Sequence, residues 1–222
     1  PDAVSILDQL IAHFDEPFAD ASAIPTWYVS ELARRHVTVV LSGDGGDELF
    51  GGYDRYLPHP RVAQFDRFVP RVGRPVAGRL GQALPLGVPG RNFLRHVARD
   101  AAGRYVDSIR YFGRDEKAAL LAPEVRAALD GPDPETRLVQ HLDALEHLPW
   151  PSRMMRLDFE TYLPEDVLVK VDRMSMAHSI ESRVPLLDNE VVDFAMALPP
   201  EFKIRHGRRK HLLKEVASRL LP

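Results

Sequence analysis

Cysteine is absent from all 222 residues. That excludes a disulfide framework, a zinc–thiolate centre and a cysteine nucleophile within this chain, and it fits a reducing compartment. Long hydrophobic runs are missing as well. None approaches the roughly 18 residues that a spanning helix needs, so no membrane role is read and a cytoplasmic setting is expected. Nor is there an excess of one charge: 29 basic against 32 acidic residues leave −3, which is not the strongly basic balance of a nucleic-acid-binding domain. An initiator Met and a signal peptide are lacking. A helical pattern, Val4, Leu7, Leu10, Ile11 and Phe14, begins at once, which leads to the expectation of a piece cut from a longer protein. What is present, 45% hydrophobic and 27% charged residues, is the composition of a soluble globular chain with a sizeable core.

The chain divides into three stretches. Residues 1–60 read as an α/β portion. Pro25 suits a helix first turn, with Trp27, Tyr28 and Leu32 following at helical spacing. Val37-Thr38-Val39-Val40-Leu41 is β-branched and apolar on both faces, the pattern of a buried parallel strand. It is the one convincing strand, so most of a doubly wound sheet must lie elsewhere. Residues 61–114 hold eleven Arg and no Lys against Asp66, Asp100 and Asp107, a local +8 that leaves −11 for the rest. This Arg-rich insertion reads either as a solvated, loosely helical segment or as a basic surface for an anionic substrate or partner domain; no aromatic interleaving suggests nucleic acid. Residues 115–222 read as a mostly helical portion. Leu138, Leu142, Leu145 and Leu148 line one helical face; Met154, Met155, Leu157, Phe159 and Leu163 belong to a second helix. Met174 and Met176 belong to a third, and the methionines read as core filler. Asp188 is placed to cap a helix over Asn189–Leu198 that Pro199-Pro200 stops, and a last helix runs from about Arg208 to Leu220.

The chemistry concentrates in Ser42-Gly43-Asp44-Gly45-Gly46-Asp47-Glu48-Leu49-Phe50-Gly51-Gly52-Tyr53. A strand running into a Gly-rich turn and a helix start places a ligand outside the strand's carboxyl end. Glycines let backbone amides approach an anion, yet Asp44, Asp47 and Glu48 would repel a phosphate. A magnesium ion reconciles the two, because Mg²⁺ is held by one or two carboxylates plus substrate phosphate oxygens. The plain alternative is a tight acidic turn with Asp44 as a cap. The turn is neither a Walker loop nor a G-x-G-x-x-G fingerprint.

Ser42–Tyr53 resembles the S-G-[DE]-G-[GS]-D-E-L-F-G-G-Y stretch of glutamine-hydrolysing asparagine synthetases. Asp172-Arg173-Met174-Ser175-Met176-Ala177-His178-Ser179-Ile180-Glu181-Ser182-Arg183-Val184-Pro185-Leu186-Leu187-Asp188 is similar to that family's D-R-x-S-M-A-x-x-[VI]-E-[AS]-R-V-P-[FL]-L-D. Gly207-Arg208-Arg209-Lys210-His211-Leu212-Leu213-Lys214 is similar to its G-x-x-K-x-[IL]-L-[KR] helix, and the segment from Asp15 to Pro25 matches the stretch before the strand. The resemblance runs in order along nearly the whole chain. It implies a portion of the synthetase domain, an ATP-pyrophosphatase (adenine nucleotide α-hydrolase-like) parallel-sheet fold. That domain activates the aspartate side-chain carboxylate with ATP as an acyl-adenylate, and ammonia drawn from glutamine by a glutaminase domain then gives asparagine and AMP. A homodimer is compatible with it.

By the same resemblance, Ser42, Gly43, Gly45 and Gly46 would touch ATP, Asp47 would hold Mg²⁺ and pyrophosphate, and Asp44 would orient the attacking amine or help the metal. Glu181 and Arg183 lie two apart before a proline, hence on one face of an extended segment, and would act in catalysis; a surface ion pair is the plain alternative. Lys210 would meet a phosphate as a point charge, against a solvated basic helix start. Asp20 and Ser22 would line the aspartate pocket. Ala21 carries no charge, so another residue must hold the substrate α-carboxylate. Asp172 and Arg173 could form a buried structural pair, and His178 and His211 read as structural. Two departures stand out: the family's S-G-G-x-D-S loop and its R-x-K-x-G-F segment are not in the chain, nor is the glutaminase domain. The expectation is therefore a fragment that makes no asparagine alone. The rival expectations are a related amide- or β-lactam-forming adenylating ligase, and a non-catalytic scaffold derived from the family.

Overall fold

The computed structural model describes residues 3–85, 87–129 and 133–221. In chain order the elements are α1 (Leu7–Phe14), α2 (Ala23–Arg34), β1 (Val39–Leu41), α3 (Gly46–Phe50), α4 (Pro60–Phe68), α5 (Arg74–Ala83), α6 (Arg91–Val97), α7 (Ala101–Ile109), α8 (Arg114–Leu120), α9 (Pro123–Ala128) and α10 (Pro134–Ala144). They continue with α11 (Trp150–Glu160), a π-helical stretch over Leu163–Leu168, α12 (Val169–Met176), β2 (Glu181–Arg183), α13 (Asn189–Ala197), α14 (Pro200–Lys203) and α15 (His211–Leu220). The result is a mostly helical α/β chain with a small parallel sheet. None of the described helices is long and apolar enough to cross a membrane. The chain forms two compact units, one of residues 1–53 and 155–222, the other of residues 54–154.

The first unit carries the sheet. Leu10 and Phe14, one turn apart on α1, join Ile6, Ala23, Trp27 and Met174 in one apolar cluster, so α1, α2 and α12 bury facing stripes. α1 ends where Asp15 turns left-handed (φ 59°) and its N–H reaches Ile11 O. A second cluster of Leu49, Phe50 and Ala195 binds α3 to α13. β1 and β2 pair in parallel, Val39 opposite Glu181 and Leu41 opposite Arg183. Ser42 N continues the ladder to Arg183 O (2.9 Å). Thus the extended segment expected at Glu181–Arg183 is a second strand. The expected burial of the first strand does not hold: Val39 is 40% and Leu41 74% exposed. A parallel strand is buried only when both faces are covered, and here a single short strand lies beside it among the described residues.

Smaller differences have local causes. Asp188 does cap α13, accepting from Glu190 N, but the helix stops at Ala197 and Pro200 opens α14 rather than only ending its predecessor. Leu145 and Leu148 fall beyond α10, whose buried position is Leu142. Met154, Met155 and Met174 are core residues, whereas Met176 is exposed.

The second unit holds the Arg-rich stretch, and several of its arginines pair with acids. Arg104 makes a bidentate contact to Asp66 (2.6 and 2.9 Å) and also donates to Val97 O; Arg74 joins the same carboxylate at 2.9 Å. Arg110 bridges Asp107 and Glu135, both at 2.5 Å, and Arg99 faces the same two acids. Arg91 is buried and donates to Leu84 O (3.0 Å). The side chains of Arg71 and Arg114 lie outside the described residues. Arg61, Arg67 and Arg79 are exposed on a helical segment, in line with the solvated expectation, while Arg74, Arg99, Arg104 and Arg110 form an ion-pair network that composition did not indicate. Its acids come partly from beyond the segment, and Val97, Tyr105, Val106 and Leu142 are buried in the same unit.

Candidate active site

The pairing of β1 with β2 builds the site. β1 delivers Ser42–Asp47 at its carboxyl end, and β2 sets Glu181 and Arg183 directly alongside. Two sequence-predicted groups more than 130 residues apart therefore meet across one ladder. Arg183 Nε donates to Glu181 Oε1 (2.7 Å), and both side chains are exposed at the strand surface.

The turn is closed by its own glycines. Gly45 sits at φ +77°, and a Cβ there would lie 2.3 Å from Leu187 Cδ2, so both conformation and space demand glycine. Gly46 N bonds Gly43 O (3.3 Å) and Leu49 N bonds Gly45 O (2.9 Å), which starts α3 directly after the turn. Ser42 Oγ donates to Asp44 Oδ2 (2.7 Å), holding that carboxylate over the strand end. Asp44 does not cap α3, whose first residue is preceded by Gly45 with no side-chain cap.

Asp47 meets Lys210 Nζ at 3.0 Å. Lys210 precedes α15 in a left-handed conformation (φ 51°), and a Cβ on Gly52 would strike Asp47 Oδ1 at 1.8 Å and Lys210 Cε at 2.3 Å. The neighbouring Arg209 Nη1 donates to Gly52 O, and Gly52 N donates to Asp47 O (both 2.8 Å). The Gly207–Lys214 motif is thereby bolted to the Ser42–Tyr53 motif. Beneath the turn, Glu48 is 1% exposed and accepts from Tyr53 Oη (2.7 Å). Burial pushes the Glu48 carboxyl up; the Tyr53 bond opposes this, and the nearby Asp47 and Asp158 charges add to it. Burial, reinforced by the bond to Glu48, also pushes the Tyr53 hydroxyl above its ordinary range.

The third predicted group forms a separate corner. Asp20 accepts from Ser22 N (2.8 Å), Ser22 Oγ (2.7 Å) and Lys170 Nζ (2.6 Å). Partial burial pushes its carboxyl up, but the Lys170 and Ser22 bonds outweigh that and leave it below the usual carboxylate range. An open, largely apolar cavity of about 860 Å³ is walled by α1, the loop that includes Asp20 and Ala21, and the start of α2. The Ser42–Asp47 turn does not line it. Sequence reasoning missed Lys170, Arg209 and the Glu48–Tyr53 bond. Glu48 and Tyr53 stand inside the motif itself, and Arg209 beside Lys210; Lys170 lies 150 residues from its partner and leaves no local signal.

Other expectations sort by contact. His178 packs edge-on against Trp27, ring centres 4.4 Å apart, in keeping with a structural role. His211 lies 4.0 Å from Glu215 on its own helix. Asp172 and Arg173 are both exposed on α12, so they are not a buried pair. Among the described residues no three His, Cys, Asp or Glu side chains are grouped to hold a metal by themselves. Asp47, a partly exposed carboxylate beside an ammonium, instead fits a Mg²⁺ ion that takes one protein carboxylate and completes its shell with substrate phosphates.

The asparagine synthase family model matches residues 1–222. The chain is 34% identical over 216 residues to asparagine synthetase [glutamine-hydrolyzing] 1 of Bacillus subtilis, covering 97% of this chain and 33% of that protein. It is 34% identical over 226 residues to a putative asparagine synthetase [glutamine-hydrolyzing] of Mycobacterium bovis (99% and 33%), and 35% identical over 185 residues to a putative one of Methanocaldococcus jannaschii (79% and 33%). The chain thus spans about a third of the length of these curated relatives. No solved structure matches it.

Proposed function

This chain belongs to the asparagine synthase family, and from that premise we propose that it is the part of a glutamine-hydrolysing asparagine synthetase that handles ATP and aspartate. The observation that carries the reading is the convergence of three separate motifs on one place. Ser42–Asp47, Glu181–Arg183 and Lys210 are joined by the β1–β2 ladder and by the Asp47–Lys210 contact of 3.0 Å. We assign the fold to the ATP-pyrophosphatase type and the whole chain to one synthetase domain. A glutaminase domain in the parent chain would supply ammonia, and the parent would be a cytoplasmic homodimer.

In this reading the β-carboxylate oxygen of aspartate attacks the α-phosphorus of ATP, and the bond to pyrophosphate breaks, giving β-aspartyl-AMP. Ammonia then attacks the acyl carbon, loses a proton, and AMP departs with the acyl–oxygen electron pair. Ser42, Gly43, Gly45 and Gly46 bind ATP through hydroxyl and backbone groups. Asp47 holds Mg²⁺, which when bound neutralises phosphate charge. Lys210 exchanges its contact with Asp47 for the departing pyrophosphate, adding a fixed cation where negative charge develops. Asp44, steadied by Ser42 Oγ, takes the proton from the attacking amine. Arg183, braced by Glu181, faces the phosphates from β2, and Asp20 and Ser22 belong to the aspartate pocket. The isolated 222-residue chain makes no asparagine.

The test is aspartate-dependent exchange of labelled pyrophosphate into ATP by the full-length parent, with Asp47→Asn beside it. Exchange that needs aspartate and Mg²⁺, and falls at least about 10²-fold in the variant, is the expected result. A folded, ATP-binding parent that gives no exchange with aspartate would move the acceptor to another carboxylic acid. A parent that binds no ATP would leave a scaffold.

A further inference from the structure

We propose that the Asp20–Lys170 ion pair is the cradle for the α-ammonium and α-carboxylate of the amino-acid substrate, with Lys170 as the cation that grips the carboxylate. The inference rests on the aspartate-activating reading above and names the residue that holds the end of the substrate remote from the chemistry.

The argument begins with unspent hydrogen-bonding capacity. A lysine ammonium has three donors and a carboxylate about four acceptor positions. Among the described residues, Asp20 spends three on Ser22 N, Ser22 Oγ and Lys170 Nζ, and Lys170 spends one on Asp20. The pair therefore retains donors on its positive side and an acceptor on its negative side. An α-amino acid presents the converse: an acceptor carboxylate and a donor ammonium on one carbon. Zwitterion meets zwitterion, and no net charge is brought into the corner.

Position supports this. The pair is mostly buried, so its bonds are shielded from water. Asp20 also walls the 860 Å³ cavity, so the corner opens onto space rather than onto packed side chains. Lys170 is carried by α12, which packs on α2 and α1 and leads to β2. The element that presents the ammonium therefore also leads into Glu181 and Arg183. Of the other cations, Lys210 contacts Asp47 in the turn and Arg183 stands on β2, and in the reading above both serve the phosphates. Ala21, between Asp20 and Ser22, offers no charge. A dicarboxylic amino acid whose β-carboxylate must stay free for the α-phosphorus needs a separate cation for its α-carboxylate, and Lys170 is that cation.

The experiment uses three acids that share the reacting carboxylate: aspartate, β-alanine (which lacks the α-carboxylate) and succinate (which lacks the ammonium). Pyrophosphate–ATP exchange is measured with each on the full-length parent and on Lys170→Met, Lys170→Arg and Asp20→Asn. In Lys170→Met the KM for aspartate rises about tenfold or more, the KM for ATP stays, and the preference for aspartate over β-alanine collapses because β-alanine loses nothing. Lys170→Arg recovers part of the preference. Asp20→Asn erodes the preference over succinate in the same way. The proposal is overturned if Lys170→Met leaves the aspartate KM unchanged, or if it depresses aspartate and β-alanine alike, the signature of a brace between helices. A wild-type parent that gives no exchange with aspartate defeats the functional reading separately. The cradle then stands only if calorimetry shows that some α-amino acid binds and loses affinity in Lys170→Met, and it falls if none does.

Discussion

Adjacent glycines at the end of α3 separate what the site needs from what the fold needs. A methyl group added at Gly52 would lie 1.8 Å from Asp47 Oδ1 and 2.3 Å from Lys210 Cε. Carbon and oxygen approach to about 3.3 Å at closest, so the carboxylate must retreat by roughly 1.5 Å and the lysine chain by a similar amount. Both are far ends of flexible, partly exposed side chains, so the retreat is cheap in stability: the ion pair is worth about 0–1 kcal/mol. In catalysis a 1 Å misplacement can cost about 10²-fold. Gly51 presents the opposite case. It sits at φ +69°, and a methyl there would meet Ile204 Cγ1 at 2.7 Å and Cδ1 at 3.0 Å. The left-handed conformation costs an L-residue about 1–2 kcal/mol, and the overlap adds about 1–3 kcal/mol. Gly52→Ala in the full-length parent should lower kcat/KM for aspartate-dependent exchange about 10²-fold while costing no more than about 1 kcal/mol in urea unfolding. Gly51→Ala should cost about 2–5 kcal/mol. A Gly52→Ala enzyme with wild-type exchange would show that the Asp47–Lys210 contact has no part in the chemistry. A Gly52→Ala protein as destabilised as Gly51→Ala would refute the division between the two glycines.

Two further predictions concern a buried lysine and a half-buried histidine in the first unit. Lys203 is 2% exposed, and burial pushes its ammonium down to about 8 from 10.5; because its folded value is depressed, its contribution to stability is intact above pH 10.5 and lost as pH falls through about 8. Lys203→Met should therefore unfold at higher urea at pH 7, by about 1–3 kcal/mol, with the gain shrinking toward pH 10.5; an equal or weaker variant at pH 7 contradicts this. Burial against Trp27 likewise pushes His178 below its ordinary 6.5, with Glu31 opposing and His13 reinforcing. Its stabilisation is present above pH 6.5 and drains away as pH falls through the lower folded value. His178→Gln should flatten the decline in melting temperature below pH 6.5, and an unchanged acid limb would remove His178 as its cause.

What the sequence made legible was local. The Ser42–Asp47 turn announces itself because glycine at Gly45 answers to a left-handed φ and to the nearby Leu187 side chain. Asp188 announces α13 because a cap acts within two residues. Glu181 and Arg183 read as extended because Pro185 follows closely. The Arg-rich stretch was illegible for the converse reason. Composition counts charges without saying where they close, and Arg104 finds Asp66 38 residues away while Arg110 and Arg99 find Glu135 outside the stretch. Guanidinium forks that pair with carboxylates are a structural use of arginine, and the sequence signal for it is the same as for a basic surface. The first strand misled for a related reason. Val37–Leu41 records what a strand would bury if both faces were covered, and the exposure of Val39 and Leu41 records what β2 alone covers.

The same reasoning explains why a residue such as Lys170 escapes sequence reading while Asp47 does not. Asp47 is one turn of chain from the glycines that place it, so its neighbourhood is written beside it. Lys170 acquires meaning only when α12 packs against α2 and brings its ammonium to the loop before α2. Six residues along the same helix, about 9 Å of rise, lies Met176; the chain then turns through Ser179 at φ 55° and enters β2. Met174 and Ile180, both fully buried, fix this path. One continuous run of chain therefore joins the corner proposed to hold the amino acid to the ladder proposed to face the phosphates. On the proposal above, a substrate held at Lys170 would reach Asp44 and Asp47 at a distance that this run sets. A change in the length of that run, through its π-helical entry or its left-handed exit, would alter which acid the turn can activate without touching any residue of the turn itself.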